Sequence, residues 1–280
     1  MKIGSTLVPL VGWWVDPRRP KEERERHLGS IRELIQIHGL EAIELSLDFA
    51  MVYPNVMDEG FYLQVARLQE ELGFACTVHL PFIWIDIASL NEFIRKASVE
   101  SIRRGVELVR PIDVASYVLH PWGRITREME KVIGDEKERL ALLRGAIYQS
   151  GRSLAEICSF FNPKELCLEN VESPSFEIAL PLVERHGTSI CLDVGHLLWQ
   201  GGGELSFLEE HKGRVREIHI HDALQLGDEI LDHLPLGRGE IDFSALLSKL
   251  SEIGFEGCVI IENDTKEDLM ESLRKLHTLL

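Results

Sequence analysis

A chain of 280 residues with 45% hydrophobic and 27% charged side chains has the make-up of an ordinary globular protein with a substantial core. Its formal net charge of −16 argues against a surface built to hold a polyanion, because nucleic-acid affinity rests mainly on Lys and Arg against phosphate. No run reaches the roughly 18 apolar residues of a membrane span, and the opening MKIGSTLVPLVGWW lacks the pattern of a signal peptide, so a cytoplasmic protein that binds neither DNA nor membrane is expected.

Short apolar runs alternate with longer amphipathic ones. Strands are expected at Lys2–Val8, Ala42–Ser46, Ala75–His79, Ser116–His120, Leu166–Glu169, Ser189–Asp193, Val215–His219 and Cys258–Glu262. Helical periodicity falls at Lys21–His38, Glu59–Leu72, Asn91–Val109, Glu136–Phe161, Ser175–His186, Leu205–His211, Phe243–Ile253 and Lys266–Leu279. The strands are near-continuous apolar stretches, as parallel strands covered on both faces should be. Eightfold alternation predicts a single (β/α)8 barrel over residues 1–280. A doubly wound open sheet is the rival, but no Gly-rich phosphate loop follows the first strand. The longest expected loop is Asp222–Asp242, long enough to be functional.

In such a barrel the C-terminal strand ends share one mouth, where catalytic side chains collect. Six of the eleven histidines and three carboxylates fall there, in TVHLP (His79), YVLHPWG (His120), LCLEN (Glu169), CLDVGH (Asp193, His196), IHIHD (His219, with His221), DHLPLGRG (His233) and VIIEN (Glu262). Glu169, Asp193, His219 and Glu262 come from four successive strands and form a mixed N/O donor set, suited to a divalent cation such as Zn or Mn. A cation also offsets the repulsion among the carboxylates. His79 and His120 are candidates for a second ion with Glu169 bridging, and His196 and His233 for a third, giving one to three ions. His221 shares the parity of His219, so either residue can be the strand-seven ligand.

Trp13, Trp84, Trp122 and Trp199, with Trp14, follow strand ends and suggest a flat or apolar part of a small-molecule substrate, or a homodimer interface. Arg124 and Arg238 are candidate phosphate contacts. The five cysteines show no CxxC spacing. Four lie in expected strands, where a thiol packs as a small hydrophobe.

The ordered series H…HP…LEN…LDxGH…HxxD…HxxLGxG…E resembles the xylose-isomerase-like barrel superfamily, which includes AP endonuclease family 2 and sugar isomerases and epimerases. The resemblance to the endonuclease branch implies three zinc sites. His79, His120 and Glu169 would hold one ion, Glu169, Asp193, His219 and Glu262 the next, and His196 with His233 the third. That third site expects an acid two residues before its last histidine; here the position is Leu231 and the acid stands at Asp232. The epimerase branch would use Glu169 and Glu262 as an acid/base pair, but it also expects a Glu and an Arg where this chain has Ser175 and Gln225. Longer strings (IGST, TVHLPF, ELVRPID, LCLEN, ICLDVGHL) resemble the cobamide-remodelling phosphodiesterases, which cleave the nucleotide loop of a corrinoid. The expected function is therefore metal-dependent hydrolysis of a small-molecule phosphodiester, with sugar isomerisation or epimerisation as the alternative. DNA cleavage ranks lower, because the surface is acidic.

Overall fold

Strands that are apolar on both faces can only be buried between a helical shell and their own interior, and a closed parallel barrel is the arrangement that supplies both. The computed structural model describes residues 1–227 and 229–280, so Asp228, in the expected long loop, lies outside the described residues. Its strands are β1 (Lys2–Thr6), β2 (Ala42–Ser46), β3 (Ala75–His79), β4 (Val114–Leu119), β5 (Leu166–Glu169), β6 (Ser189–Asp193), β7 (Val215–Ile220), β8 (Asp222–Leu226), β9 (Glu229–Leu234) and β10 (Cys258–Ile261). All except β8 and β9 close into one barrel in the order β1-β10-β7-β6-β5-β4-β3-β2. Every barrel pairing is parallel. The predicted (β/α)8 architecture is the one found.

Two layers of core follow from strand alternation. Outward side chains such as Ile43, Val78, Leu119, Leu168, Ile218 and Val259 pack beneath the helices in one continuous cluster. Inward side chains are small: Ala42, Ala75, Cys258 and Ile260 form one interior cluster, and Val118, Cys167 and Cys191 another. All five cysteines are free thiols, and burial raises the pKa of each. Gly4 belongs to the same constraint, since a Cβ there would strike the backbone and Cβ of Ala42 on the neighbouring strand.

The differences from expectation lie at short elements. β1 stops at Thr6, two residues early, because Pro9 favours the first turn of a helix at Val8–Val11. Further one- or two-turn helices follow β2 (Asp48–Val52) and β6 (Val194–Leu198), and another follows β4 (Arg124–Val132). The expected helix Lys21–His38 ends in a π-helical turn at Glu33–Ile37. The segment Asp222–Asp242 is not an open loop: β8 and β9 pair antiparallel, with Leu224 opposite Leu231.

That hairpin is tied down by side chains. Asp222, fully buried, accepts four backbone N–H bonds: Ala223 (2.9 Å) and Ile241 (3.2 Å) on one oxygen, Gly237 and Gly239 (both 2.8 Å) on the other. Asn263, just beyond β10, donates to the carbonyls of His233 (3.0 Å) and Leu234 (3.1 Å) and accepts from Ser272 (2.7 Å). Removing the Asp222 carboxylate would strand four N–H groups at once. We expect Asp222→Ala to lower the unfolding free energy by about 4 kcal/mol, read from urea denaturation, with a cost below about 1 kcal/mol counting against this clamp.

Candidate metal centre

Inward parity brings the ends of β3, β4, β5, β6, β7 and β10 to a single point. His79 and His120 are buried, and their Nε2 atoms lie 3.1 and 3.0 Å from the same oxygen, Oε2 of Glu169. The other Glu169 oxygen lies 3.4 Å from His219 Nδ1, which is also 3.4 Å from Glu262 Oε1. Two donor groups of ligand size therefore share Glu169: His79, His120 and Glu169, and Glu169, Asp193, His219 and Glu262. A third comprises His196, His221 and His233.

The hydrogen bonds test whether these residues suit a cation. His79 Nδ1 lies against the Leu80 carbonyl (2.9 Å), which directs Nε2 at the Glu169 carboxylate (3.1 Å). His196 is held likewise, with Nδ1 against the Asn170 carbonyl at 3.2 Å. Lone pair facing lone pair at these distances is repulsive unless a proton or a metal ion lies between them. His219 Nδ1 and Nε2 and His120 Nδ1 have no hydrogen-bond partner although all are buried. Buried, converging, orphaned nitrogens and carboxylates fit a divalent metal.

Charge perturbations agree. Burial opposes the His79 cation, but the hydrogen bond to Glu169 overrides it and lifts the pKa to about 9. At His120 burial prevails over Glu169 and the pKa falls to about 4. Burial disfavours the Glu169 carboxylate, yet His120 and His219 hold its pKa well below the ordinary range. Burial raises Glu262 to about 7, only partly opposed by His219. One glutamate is thus held ionised and its neighbour close to half-protonated at neutral pH, the split that separates a base from an acid.

The two strand-seven histidines fall in different donor groups. His219 points into the four-residue group. His221 sits one layer further out, where its Nδ1 accepts the backbone N–H of His233 (2.8 Å) and its Nε2 faces Asp193 Oδ1 at 3.0 Å. Both nitrogens are thereby engaged in this structure, so His221 orients Asp193 and could serve the His196–His233 group only by giving up one of these contacts. The His221 and His233 rings stack at 4.2 Å and 3°, and His233 adopts a left-handed backbone (φ 54°), the one described non-glycine residue with positive φ. Its N–H and C=O are both clamped, which is what holds such a conformation in place. Asp232 stands 3.2 Å from His233 Nδ1, so the displaced acid still reaches this histidine.

Beside the donors lies a cavity of about 220 Å³ whose far wall is apolar, with Trp13, Phe49, Phe61, Tyr62 and Phe82. Trp13 stacks on Phe49 and contributes as expected from its place after β1. The other tryptophans do not line it. Trp122 is buried at 1% exposure among core side chains because the chain turns inward behind His120, Trp84 faces solvent at 69%, and Trp199 packs under Lys131. Arg124 begins its helix pointing outward, and Arg238 is paired with Glu271 on the surface, so neither reaches the cavity. The cation that does is Arg127, one helical turn further on, ion-paired with Glu172.

Two buried acids beneath the site had no counterpart in the sequence reading. Glu44 Oε2 lies 3.3 Å from His219 Nε2, and Glu217 accepts a 2.6 Å hydrogen bond from Ser116. A charged residue inside an apolar strand, at the same parity as the rim ligands, was the available clue.

Parallel barrel and converging rim donors together define a (β/α)8 fold with groups of residues that could hold a metal ion. The chain belongs to the xylose isomerase-like TIM barrel family, whose description matches residues 18–279. It is 28% identical over 220 residues to the uncharacterized protein MJ1311 of Methanocaldococcus jannaschii, covering 74% of this chain and 70% of that one. An inosose dehydratase of Lacticaseibacillus casei is 30% identical over 97 residues, covering 30% of this chain and 33% of its own. Among solved structures, a D-tagatose 3-epimerase-like protein superposes with a TM-score of 0.73 at 24% identity, covering 100% of this chain and 97% of that one.

The glycine of the LDVGH motif has a specific task here. A Cβ at Gly195 would collide with the His221 imidazole. Gly195→Ala should therefore displace His221, free the Asp193 carboxylate and weaken divalent-metal affinity by about 10- to 100-fold, measured by competitive chelator titration. Unchanged affinity would remove His221 from the positioning role.

Proposed function

We propose that this chain is a divalent-metal-dependent hydrolase that cleaves a phosphodiester in a small-molecule substrate, the nucleotide loop of a cobamide being the substrate suggested by its sequence resemblance. The observation that carries this reading is the convergence of His79 and His120 on one oxygen of Glu169, beside the four-residue group that contains the other oxygen. The isomerase reading requires only the four-residue group, whereas this arrangement offers a second donor set that shares Glu169. Zn or Mn fits the N/O donors of both. Bound there, divalent ions supply charge stabilisation for phosphoryl oxygens and bring the pKa of water towards 7.

The chain's own residues account for the remaining tasks. Glu169 has both oxygens committed, one to His79 and His120 and the other to His219, so Glu262, at the edge of the donor array, is the glutamate placed to exchange a proton. Arg127 is the guanidinium on the cavity wall available to an anionic ester, provided that substrate displaces Glu172. The aromatic wall around Trp13 and Phe82 receives an apolar portion and excludes water.

A second reading has support of its own. The named relatives are a D-tagatose 3-epimerase-like protein and an inosose dehydratase, and those names favour sugar or sugar-phosphate isomerisation or epimerisation over hydrolysis. Glu169 and Glu262 flank the site as an acid/base pair for exchanging a proton at a carbon next to a carbonyl would require. Ser175 and Gln225, where epimerases of this superfamily are expected to carry a Glu and an Arg, count against it.

Metal content and turnover separate the two. Elemental analysis of Zn- or Mn-loaded protein is expected to give two or more ions, falling in a His79→Ala/His120→Ala variant that also loses cobamide cleavage. A single ion in both proteins, with ketohexose epimerisation retained, would transfer the assignment to the second reading. Under either chemistry Glu262→Gln should abolish turnover while circular dichroism stays unchanged, and an active variant would disqualify Glu262 as the proton-holding group.

A further inference from the structure

The opposite end of the barrel carries a different electrostatic character from the rest of the molecule. A concave cavity of about 650 Å³ opens at the N-terminal mouth, where β1, β5, β6, β7 and β10 begin. In a protein of net charge −16, its wall gathers Lys2, Lys164, Lys212, Arg214 and Arg216 against one acid, Glu256. Lys212 follows the helix Glu204–His211 and complements its C-terminal dipole while paired with Glu209. Lys2, Arg214 and Arg216 belong to no helix, and with Lys164 they make no salt bridge among the described residues.

Two further observations point to a ligand. Arg216 is braced across the barrel floor by donating Nε (3.1 Å) and Nη2 (2.8 Å) to the Ala115 carbonyl, which fixes the guanidinium and leaves Nη1 uncommitted. Thr188, on the same wall and 2% exposed, has a buried hydroxyl with no hydrogen-bond partner. A buried hydroxyl without a partner is costly to the fold unless something accepts or donates there. Concentrated, unpaired cations also repel one another and are costly for the fold unless an anion neutralises them.

We propose that this N-terminal mouth is a binding site for a small phosphoryl anion, remote from the metal centre and independent of the reaction there. Lys2, Lys164 and Arg214 supply charge, Arg216 a fixed donor, and the Thr188 hydroxyl a hydrogen bond to a phosphoryl oxygen. The volume admits two phosphoryl groups, so pyrophosphate should bind more tightly than phosphate.

Calorimetric titration of the metal-loaded protein with inorganic phosphate and with pyrophosphate tests this. Besides any anion held at the metal centre, one further site is expected in wild type, weakened about tenfold or more by Lys164→Ala/Arg214→Ala and measurably by Thr188→Val. Glu262→Gln, altered at the other mouth, should keep this further site whatever it does to anion binding at the metal centre. These cationic side chains are exposed and repel one another, and their removal should leave the thermal midpoint in the absence of anion at or above that of wild type. Absence of this further site, equal binding there by the double variant, or its loss in Glu262→Gln would each overturn the proposal.

Discussion

Five carboxylates point into the interior of one barrel, and the electrostatic cost of holding them together governs the rest of the structure. Glu44, Glu169, Asp193, Glu217 and Glu262 all come from inward positions of strands or their ends, and all but Glu262 are buried to 1% exposure or less. Ionised groups this close, in a medium poorer in water than bulk, cannot all keep their charge without compensation. The histidines supply part of it. His79, His120 and His196 surround Glu169, and His219 stands between the rim acids and Glu44. What results is a set of ring nitrogens and carboxylate oxygens converging on one another, a donor arrangement that fits a divalent cation. The small interior residues, Ala42, Ala75, Cys167, Cys191 and Cys258, are the complement of that arrangement, because the layer beneath the polar one must close without adding bulk.

Position along each strand then determines which acid plays which part. Glu169 lies at the centre of the donor array, so histidines on both sides keep it ionised. Glu262 sits at the end of β10, touched by His219 on one oxygen and more distantly by His233 on the other, at 3.9 Å. Fewer cations reach it, burial dominates, and it retains its proton more readily. Asp193 is governed from behind: His196 N–H donates to Oδ1 (2.7 Å) and His221 faces the same oxygen. The hairpin β8–β9 enters this network through the His233 N–H on His221, so a segment outside the barrel sets the orientation of a ligand inside it.

How much of this was legible in the sequence depends on the range of the interactions involved. The eight barrel strands were readable because burial on both faces makes each one apolar throughout, and β2, β3, β5 and β6 match residue for residue. The rim donors were readable because strand parity fixes their side. The short helices after β2, β4 and β6 carry too few residues for periodicity to register, and they are where Arg127 and the His196 backbone are positioned. The choice between His219 and His221 could not come from parity, since both share it. It came from what each ring nitrogen touches, and the partners (Asp193, His233 and Gly195) are scattered across three segments. Trp122 misled because a residue just after a strand can turn either way, and this one turned into the core.

The fold shared with sugar epimerases constrains the chemistry less than the residues set upon it. A barrel of this family provides a mouth at which any set of inward strand ends can meet, and the superposition at 24% identity speaks to that frame alone. The distinction between hydrolysis and isomerisation turns on two imidazoles. With His79 and His120 directed at Glu169 Oε2, that carboxylate has both oxygens engaged and is suited to bridge; with them absent, it would be free to take a proton from carbon. A base that must move protons at carbon needs an oxygen open to substrate. Here one oxygen of Glu169 is enclosed by two histidines and the other faces His219, which leaves Glu262, at the edge of the array and close to half-protonated, as the group best able to exchange a proton with whatever occupies the cavity.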